Sequence, residues 1–170
     1  MAKRKEIKCW YIDVGADWFL LNSTPKKKKS KYYHEVAAAD LFVAYFNHAS
    51  KWFVEYPIKD DWTDRGMDIF EKRIYFEVDM CTENIQVLYD KIENAIAYSE
   101  ETKKRCYFIY TFLGEQKKIE ERGKKLLLYL ATKRRGDQFT IANHPRLIAD
   151  PFGEVLINPK GELRSLSTLL

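Results

Sequence analysis

The stretch RCYFIYTFL, residues Arg105 to Leu113, constrains the fold most strongly because it is almost continuously apolar. A strand that is apolar along its whole length is typical of the centre of a sheet with both faces covered. Amphipathic helices are predicted on either side of it, over 83–99 and 116–133, since apolar side chains recur there at helical spacing. The sequence therefore predicts an α/β protein with a single mixed β-sheet flanked by helices.

The remaining elements are predicted from aromatic runs, alternation and turn residues. They are an N-terminal β-hairpin over 9–22, a helix over 32–50, strands over 51–58, 67–71 and 73–80, a strand over 137–144 and a closing hairpin over 146–163. A polar turn is expected over 59–66, and Thr82 is the predicted N-cap of the helix that follows. We interpret residues 1–32 as the hairpin and a basic loop, and residues 33–170 as one core domain.

Positive charge is concentrated at the N-terminus. Residues 1–32 contain nine Lys and Arg against three acidic residues, or +6, so the rest of the +4 chain carries −2. A run of four lysines after Pro25 attracts phosphate backbones, and the alternative interpretation is a solvated loop. The basic end of the third helix is expected to assist. The predicted DNA contacts are Lys26, Lys27, Lys28, Lys29, Lys133, Arg134 and Arg135.

Several other classes of protein are not indicated. Cys9, Cys81 and Cys106 lack the spacing of a zinc site or a disulfide framework. No nucleophile elbow, P-loop or dinucleotide fingerprint occurs. No secretory signal is visible, and no apolar run approaches the roughly 18 residues of a membrane span, so a cytoplasmic protein without a membrane partner is expected.

Acidic side chains collect where a predicted strand meets a predicted helix. Glu77 and Asp79 share one face of the strand 73–80, because side chains alternate along a strand. A tight turn before this strand is expected to bring Asp68 opposite Glu77. Carboxylates converging in this way suit Mg²⁺, which takes one or two of them together with water and phosphate oxygens. The alternative is a hairpin whose polar face is wet, although the apolar opposite face indicates a central strand.

Four motifs in this order resemble the PD-(D/E)xK, or restriction-endonuclease-like, nuclease superfamily, and more particularly its plasmid replication-relaxation family. They are HEVA (34–37), GMDIF (66–70), FEVDMCTE (76–83) and DKIENAIAY (90–98). The resemblance covers about residues 33–162. It implies a restriction-endonuclease-like αβββαβ core and an Mg²⁺ or Mn²⁺ cofactor.

The resemblance also implies roles for individual residues. Metal binding would fall to Asp68 and Glu77, with Glu35 as a helix-borne acid that completes the metal site. Asp79 stands where many members have the lysine that orients the attacking water, and Lys91 on the following helix would replace that lysine. Asp79 would then assist, and Met67 replaces the usual proline.

These features predict a DNA-associated protein of a mobile element, serving plasmid or phage replication or relaxation, with a nuclease-type fold. Double-stranded DNA is the expected partner, together with replication or relaxation proteins. One alternative is metal-dependent DNA cleavage through Asp68, Glu77, Asp79 and Lys91. A second is a catalytically inactive module for DNA binding or protein docking, which the missing strand lysine favours, and a third is a stand-alone host-interaction protein with no DNA role.

Overall fold

The sheet is organised around β3, the strand Lys72–Asp79. In the computed structural model, which describes residues 29–58, 61–69, 72–102 and 106–169, every residue of this strand from Ile74 onward is buried. It pairs antiparallel with β2, Asp61–Ile69, and parallel with β4, Cys106–Phe112. The strand that carries Glu77 and Asp79 is therefore internal, as its apolar opposite face predicted.

The described elements follow one another as helices and strands of one mixed sheet. In chain order they are α1 (Lys29–Tyr45), β1 (Lys51–Ile58), β2, β3, α2 (Ile85–Thr102), β4, α3 (Gln116–Ala131), a 3-10 turn (Gly136–Gln138), β5 (Phe139–Asn143), α4 (His144–Ala149), β6 (Leu156–Ile157), β7 (Leu163–Arg164) and α5 (Leu166–Leu169). The strands lie side by side in chain order, with β3, β4 and β5 parallel and the flanking pairs antiparallel. The predicted α/β class with a single mixed sheet is confirmed.

Each face of the sheet has its own apolar core, because successive side chains of β3 point to opposite sides. Phe76 packs with Leu41 and Tyr45 of α1 on one side. Tyr75 packs with Ile92 of α2 and with buried residues of α3 on the other. Burial of a large apolar side chain is worth about 1.5–3 kcal/mol, so both helix layers hold β3 in place.

Two boundaries around β2 and α2 differ from the prediction. The segment 59–66 is mostly strand, because β2 begins at Asp61. Its polar residues are tolerated there since Asp64 and Arg65 find charged partners on α1. Helix α2 begins at Ile85, and its cap is Asn84 rather than Thr82: the Asn84 side-chain oxygen accepts the Gln86 N–H at 3.0 Å.

The predicted closing hairpin is partly wrong. Its first residues, 146–149, belong to the short helix α4, where the Asn143 side chain accepts the Arg146 N–H at 3.2 Å and a proline occupies the first turn. The hairpin itself is formed by β6 and β7. The N-terminal hairpin predicted over 9–22 lies outside the described residues. Across the described ranges, each helix is too short or too polar to cross a membrane.

Candidate functional site

The β2–β3 hairpin opens at one end. The ladder between the two strands stops at the pair Arg65–Phe76, although β3 continues to Asp79 alongside β4. Strand β2 meanwhile stays paired with β1 as far as Asp61. Strands β2 and β3 are therefore no longer paired beyond Arg65. In the same register the next positions are Asp64 and Glu77, and they lie where the two strands separate.

Side chains of β2 replace the missing backbone pairs. Asp64 Oδ2 accepts the N–H of Val78 at 2.7 Å, and the Thr63 hydroxyl donates to the carbonyl of Phe76 at 2.7 Å. Buried backbone groups of β3 thereby keep their hydrogen bonds where the ladder ends. The opening is thus built into the sheet, and the Asp64 carboxylate is fixed against the backbone next to Glu77.

Lys91 reaches the opening from α2. Its Nζ forms an ion pair and hydrogen bond with Glu77 Oε1, and it lies 3.9 Å from Glu83 Oε2. Burial alone would lower the pKa of Lys91, but Glu77, with further contributions from Glu83 and Asp64, outweighs burial and raises it. Lys91 therefore carries a positive charge at neutral pH. Its predicted role in place of the strand lysine stays a prediction.

Helix α1 closes the site from the other side. His34 Nε2 lies 3.2 Å from Asp64 Oδ1, and this hydrogen bond raises the pKa of His34 despite partial burial. Glu35 Oε2 lies 3.7 Å from an Arg65 guanidinium nitrogen. The HE pair of the sequence motif is therefore adjacent to the strand opening, and Glu35 faces a cation of the chain.

A cavity of about 20 Å³ lies inside the opening and is lined by Glu77, Lys91, Thr63 and aromatic side chains of β3 and β4. A void that holds one water-sized sphere requires at least roughly 10–15 Å³, so there is room for a water molecule. Its polar partners would be the Glu77 carboxylate and the Lys91 ammonium group. The site thus combines a carboxylate, a fixed cation and space for water.

Asp68 is not part of this arrangement, and its predicted position opposite Glu77 is wrong. The residue pairs across the hairpin with Arg73, and the two side chains form an ion pair at the closed end of β2–β3. Asp64 takes the position facing Glu77. The predicted set of Asp68, Glu77 and Glu35 is therefore not brought together.

Asp79 also differs from its predicted assisting role. Its side chain is almost fully buried, where Oδ2 pairs with the Arg122 guanidinium of α3 and Oδ1 accepts the Cys81 N–H at 2.8 Å. Burial, and then the Asp79 charge, raise the pKa of the Cys81 thiol, which agrees with a packed cysteine. Asp79 holds the turn after β3 and faces α3 rather than Lys91.

The predicted basic contacts have mixed outcomes. Lys133 pairs with Glu93 at 2.5 Å, and Arg135 hydrogen-bonds Ser99 and lies 3.8 Å from Glu100, so both connect the end of α3 to α2. Arg134 is 88% exposed at its side chain. Lys26, Lys27 and Lys28 lie outside the described residues, and Lys29 begins α1. Their contact with DNA stays a prediction.

Sequence reasoning missed Asp64 because of the hairpin register. The predicted pairing of 68 with 77 gives a sum of 145, whereas the observed pairs sum to 141, as in Arg65 with Phe76. The two sums differ by four, so β2 is shifted by four residues along β3 relative to the predicted register. The high strand propensity of Trp62 and Thr63 was the available signal that β2 begins early.

Two carboxylates, those of Asp64 and Glu77, lie at the opening, and both have partners within the protein. Within the described ranges, no three His, Cys, Asp or Glu side chains are grouped closely enough to hold a metal ion. Mg²⁺ usually takes only one or two carboxylates and completes its shell with water and substrate phosphate. A cation at this opening would have two candidate carboxylate ligands, fewer than a zinc or calcium cage requires.

The fold and the site together define an α/β protein with a charged opening between two strands of a mixed sheet. No protein-family model, curated protein or solved structure matches the chain. The functional conclusion therefore depends on the residues and their geometry.

Proposed function

We propose that the chain cleaves phosphodiester bonds of double-stranded DNA in a divalent-cation-dependent reaction, on a restriction-endonuclease-like αβββαβ core. The order α1, β1, β2, β3, α2, β4 supports this proposal. The observation that carries it is the ion pair of Lys91 with Glu77 beside Asp64, at a strand opening with space for water. A function in plasmid or phage replication or relaxation stays a prediction from the sequence.

Lys91 acts through its charge. Its raised pKa keeps the ammonium group protonated, so it does not accept a proton from water. A fixed cation at this position orients a water molecule in the cavity and offsets the negative charge that builds up on a phosphate under attack. Glu77 holds Lys91 in place, and Asp64 is itself held by Val78 N–H and His34.

Asp64 and Glu77 are the residues that would hold Mg²⁺ or Mn²⁺. When bound, such an ion supplies Lewis-acid stabilisation of a phosphoryl oxygen and lowers the pKa of a bound water. Glu35 is nearby on α1, but its carboxylate faces Arg65. We therefore assign Glu35 to the positioning of Arg65 and α1.

A second candidate function is DNA binding or protein docking without cleavage. It is favoured by Asp79, which occupies the position after Glu77-Val78 where a lysine would help catalysis and which is buried against Arg122. In this candidate the ion pairs of the opening are purely structural. The two functions share a fold and differ in whether the opening acts on a phosphate.

Cleavage of supercoiled plasmid DNA in Mg²⁺ or Mn²⁺ separates these candidates. We expect nicked and linear products from the wild-type protein, and losses of about 100-fold or more for Asp64→Asn, Glu77→Gln and Lys91→Met, the range typical for removal of one electrostatic catalytic group. The matched control is Asp68→Asn, the same change on the same strand at the closed end of the hairpin. It should stay within a few-fold of wild type.

The outcomes are distinct. Equal loss in Asp64→Asn and Asp68→Asn, with both variants folded, contradicts the assigned site. A wild-type protein that binds the plasmid and leaves it intact in both metals overturns cleavage and supports the second candidate.

A further inference from the structure

Three basic side chains of α3 face one cavity. Lys118, Arg122 and Lys125 are spaced at i, i+4 and i+7, so they lie along one side of the helix. With Cys81 in the turn after β3 and Ile85 at the start of α2, they line a cavity of about 130 Å³, in which Glu121 is the one acidic lining residue. None of these lysines belongs to the basic runs singled out in the sequence.

Arg122 is anchored and still has a donor to offer. Its Nε pairs with Asp79, and its Nη1 donates to the Glu83 carbonyl at 2.7 Å. Its Nη2 is buried and has no hydrogen-bond partner in the part of the chain that the structure describes. A buried guanidinium nitrogen without an acceptor is unfavourable. A ligand in the cavity that accepts a hydrogen bond from Arg122 would therefore be stabilised.

The cavity adjoins the proposed active site. Glu83 connects the two, since its carbonyl contacts Arg122 while its carboxylate lies 3.9 Å from Lys91 Nζ. The cavity lies past the carboxyl end of β3, where ligands of open α/β sheets usually bind, and Glu77 lies two residues before that end. A polymer crossing the opening at Glu77 would therefore pass this cavity next.

We propose that the cavity binds a phosphate of the DNA backbone adjacent to the phosphate that is attacked, an inference that rests on the proposed function. Three cations outnumber Glu121, the acidic residue that lines the cavity, although Arg122 also pairs with the buried Asp79 and Lys118 lies 3.5 Å from the exposed Glu115 carboxylate. Arginine supplies directional donors to phosphate oxygens, and lysines add point charges.

The test measures binding separately from cleavage. A fluorescein-labelled DNA duplex is titrated with the full chain in EDTA, and anisotropy is recorded over a series of salt concentrations. The variant Lys118→Gln/Lys125→Gln removes two charges from the cavity. The matched control, Lys117→Gln/Lys124→Gln, removes two charges at the same seven-residue spacing on another side of α3. Arg122 is left unchanged because Asp79 depends on it.

We expect the cavity variant to bind more weakly and its slope of log affinity against log salt to fall by about 1, the change expected for the loss of one phosphate contact. The control should keep the wild-type slope. Equal losses in both variants overturn the phosphate site and leave the proposed cleavage intact. Absence of duplex binding by the wild-type protein overturns the phosphate site, and the plasmid assay in Mg²⁺ or Mn²⁺ then decides the proposed function separately. A loss of plasmid cleavage in Asp64→Asn with normal duplex binding supports the proposed function by itself.

Discussion

Glu77 and Asp79 stand two residues apart on one face of β3, but their partners come from different helices: Lys91 of α2 and Arg122 of α3. A buried carboxylate whose cation is removed costs about 3–5 kcal/mol, so each pair constrains the position of its helix. The Glu77 side chain lines the small cavity, whereas the Asp79 side chain accepts a hydrogen bond from the turn at Cys81. This division of partners is why one acid is assigned to catalysis and the other to structure.

His144 is connected to the backbone of Glu77 through Thr111. Its Nδ1 lies 3.2 Å from the Thr111 hydroxyl, which in turn contacts the Glu77 carbonyl at 3.3 Å. The residue is 3% exposed, and burial lowers the pKa of its imidazole to about 4 from the ordinary 6.5. The folded protein therefore binds fewer protons than the unfolded chain between these two values, and stability declines as the pH falls through them.

We expect the pH dependence of unfolding to report this residue. His144→Asn keeps a side-chain N–H near Thr111 and removes the titration. Between pH 7 and pH 4.5 the wild-type free energy of unfolding should fall by about 2 kcal/mol more than that of the variant, at about 1.4 kcal/mol per pKa unit. Urea unfolding at the two pH values measures it. Identical decreases in both proteins would show that His144 does not titrate as described.

The strands and helices around the site differ in how well the sequence predicts them. Strand Cys106–Phe112 is predictable because it is continuously apolar, and helix Gln116–Ala131 because its apolar residues recur at helical spacing. The β2–β3 register was not predictable, because residues 70–73 contain none of the Gly, Asn or Asp that mark a tight turn. A misplaced turn then exchanged Asp64 for Asp68 in the candidate site.

Helix α2 supplies a prediction at this scale, because its start determines where Lys91 and Glu83 lie. Asn84→Ala removes the side-chain acceptor for the Gln86 N–H and should lower the free energy of unfolding by about 1 kcal/mol. Asn84→Ser keeps an N-cap acceptor and should stay close to wild type. Thermal or urea unfolding distinguishes them, and equal stability of the Ala and Ser variants would mean that Asn84 does not cap the helix.

Across the whole molecule, the order of elements places the charged residues of the candidate site around the carboxyl-terminal half of β3. The α1–β1–β2–β3–α2–β4 succession was predictable from hydrophobic patterns, and it sets β3 in the middle with helices on both faces. His34, Arg122 and the cavity on α3 were not predictable as neighbours of the site, because their contacts join segments far apart in sequence. Ion pairs between residues far apart in the sequence therefore complete the candidate site, and local sequence patterns do not reveal them.

The most direct test of the central claim is a crystal of the protein soaked in Mn²⁺ and measured for anomalous scattering. The account predicts a peak between the carboxylates of Asp64 and Glu77, with metal–oxygen distances of about 2.1 Å, present in Asp68→Asn crystals and absent in Asp64→Asn crystals. A map with no peak at that opening, or with a peak beside Asp68 instead, would contradict it.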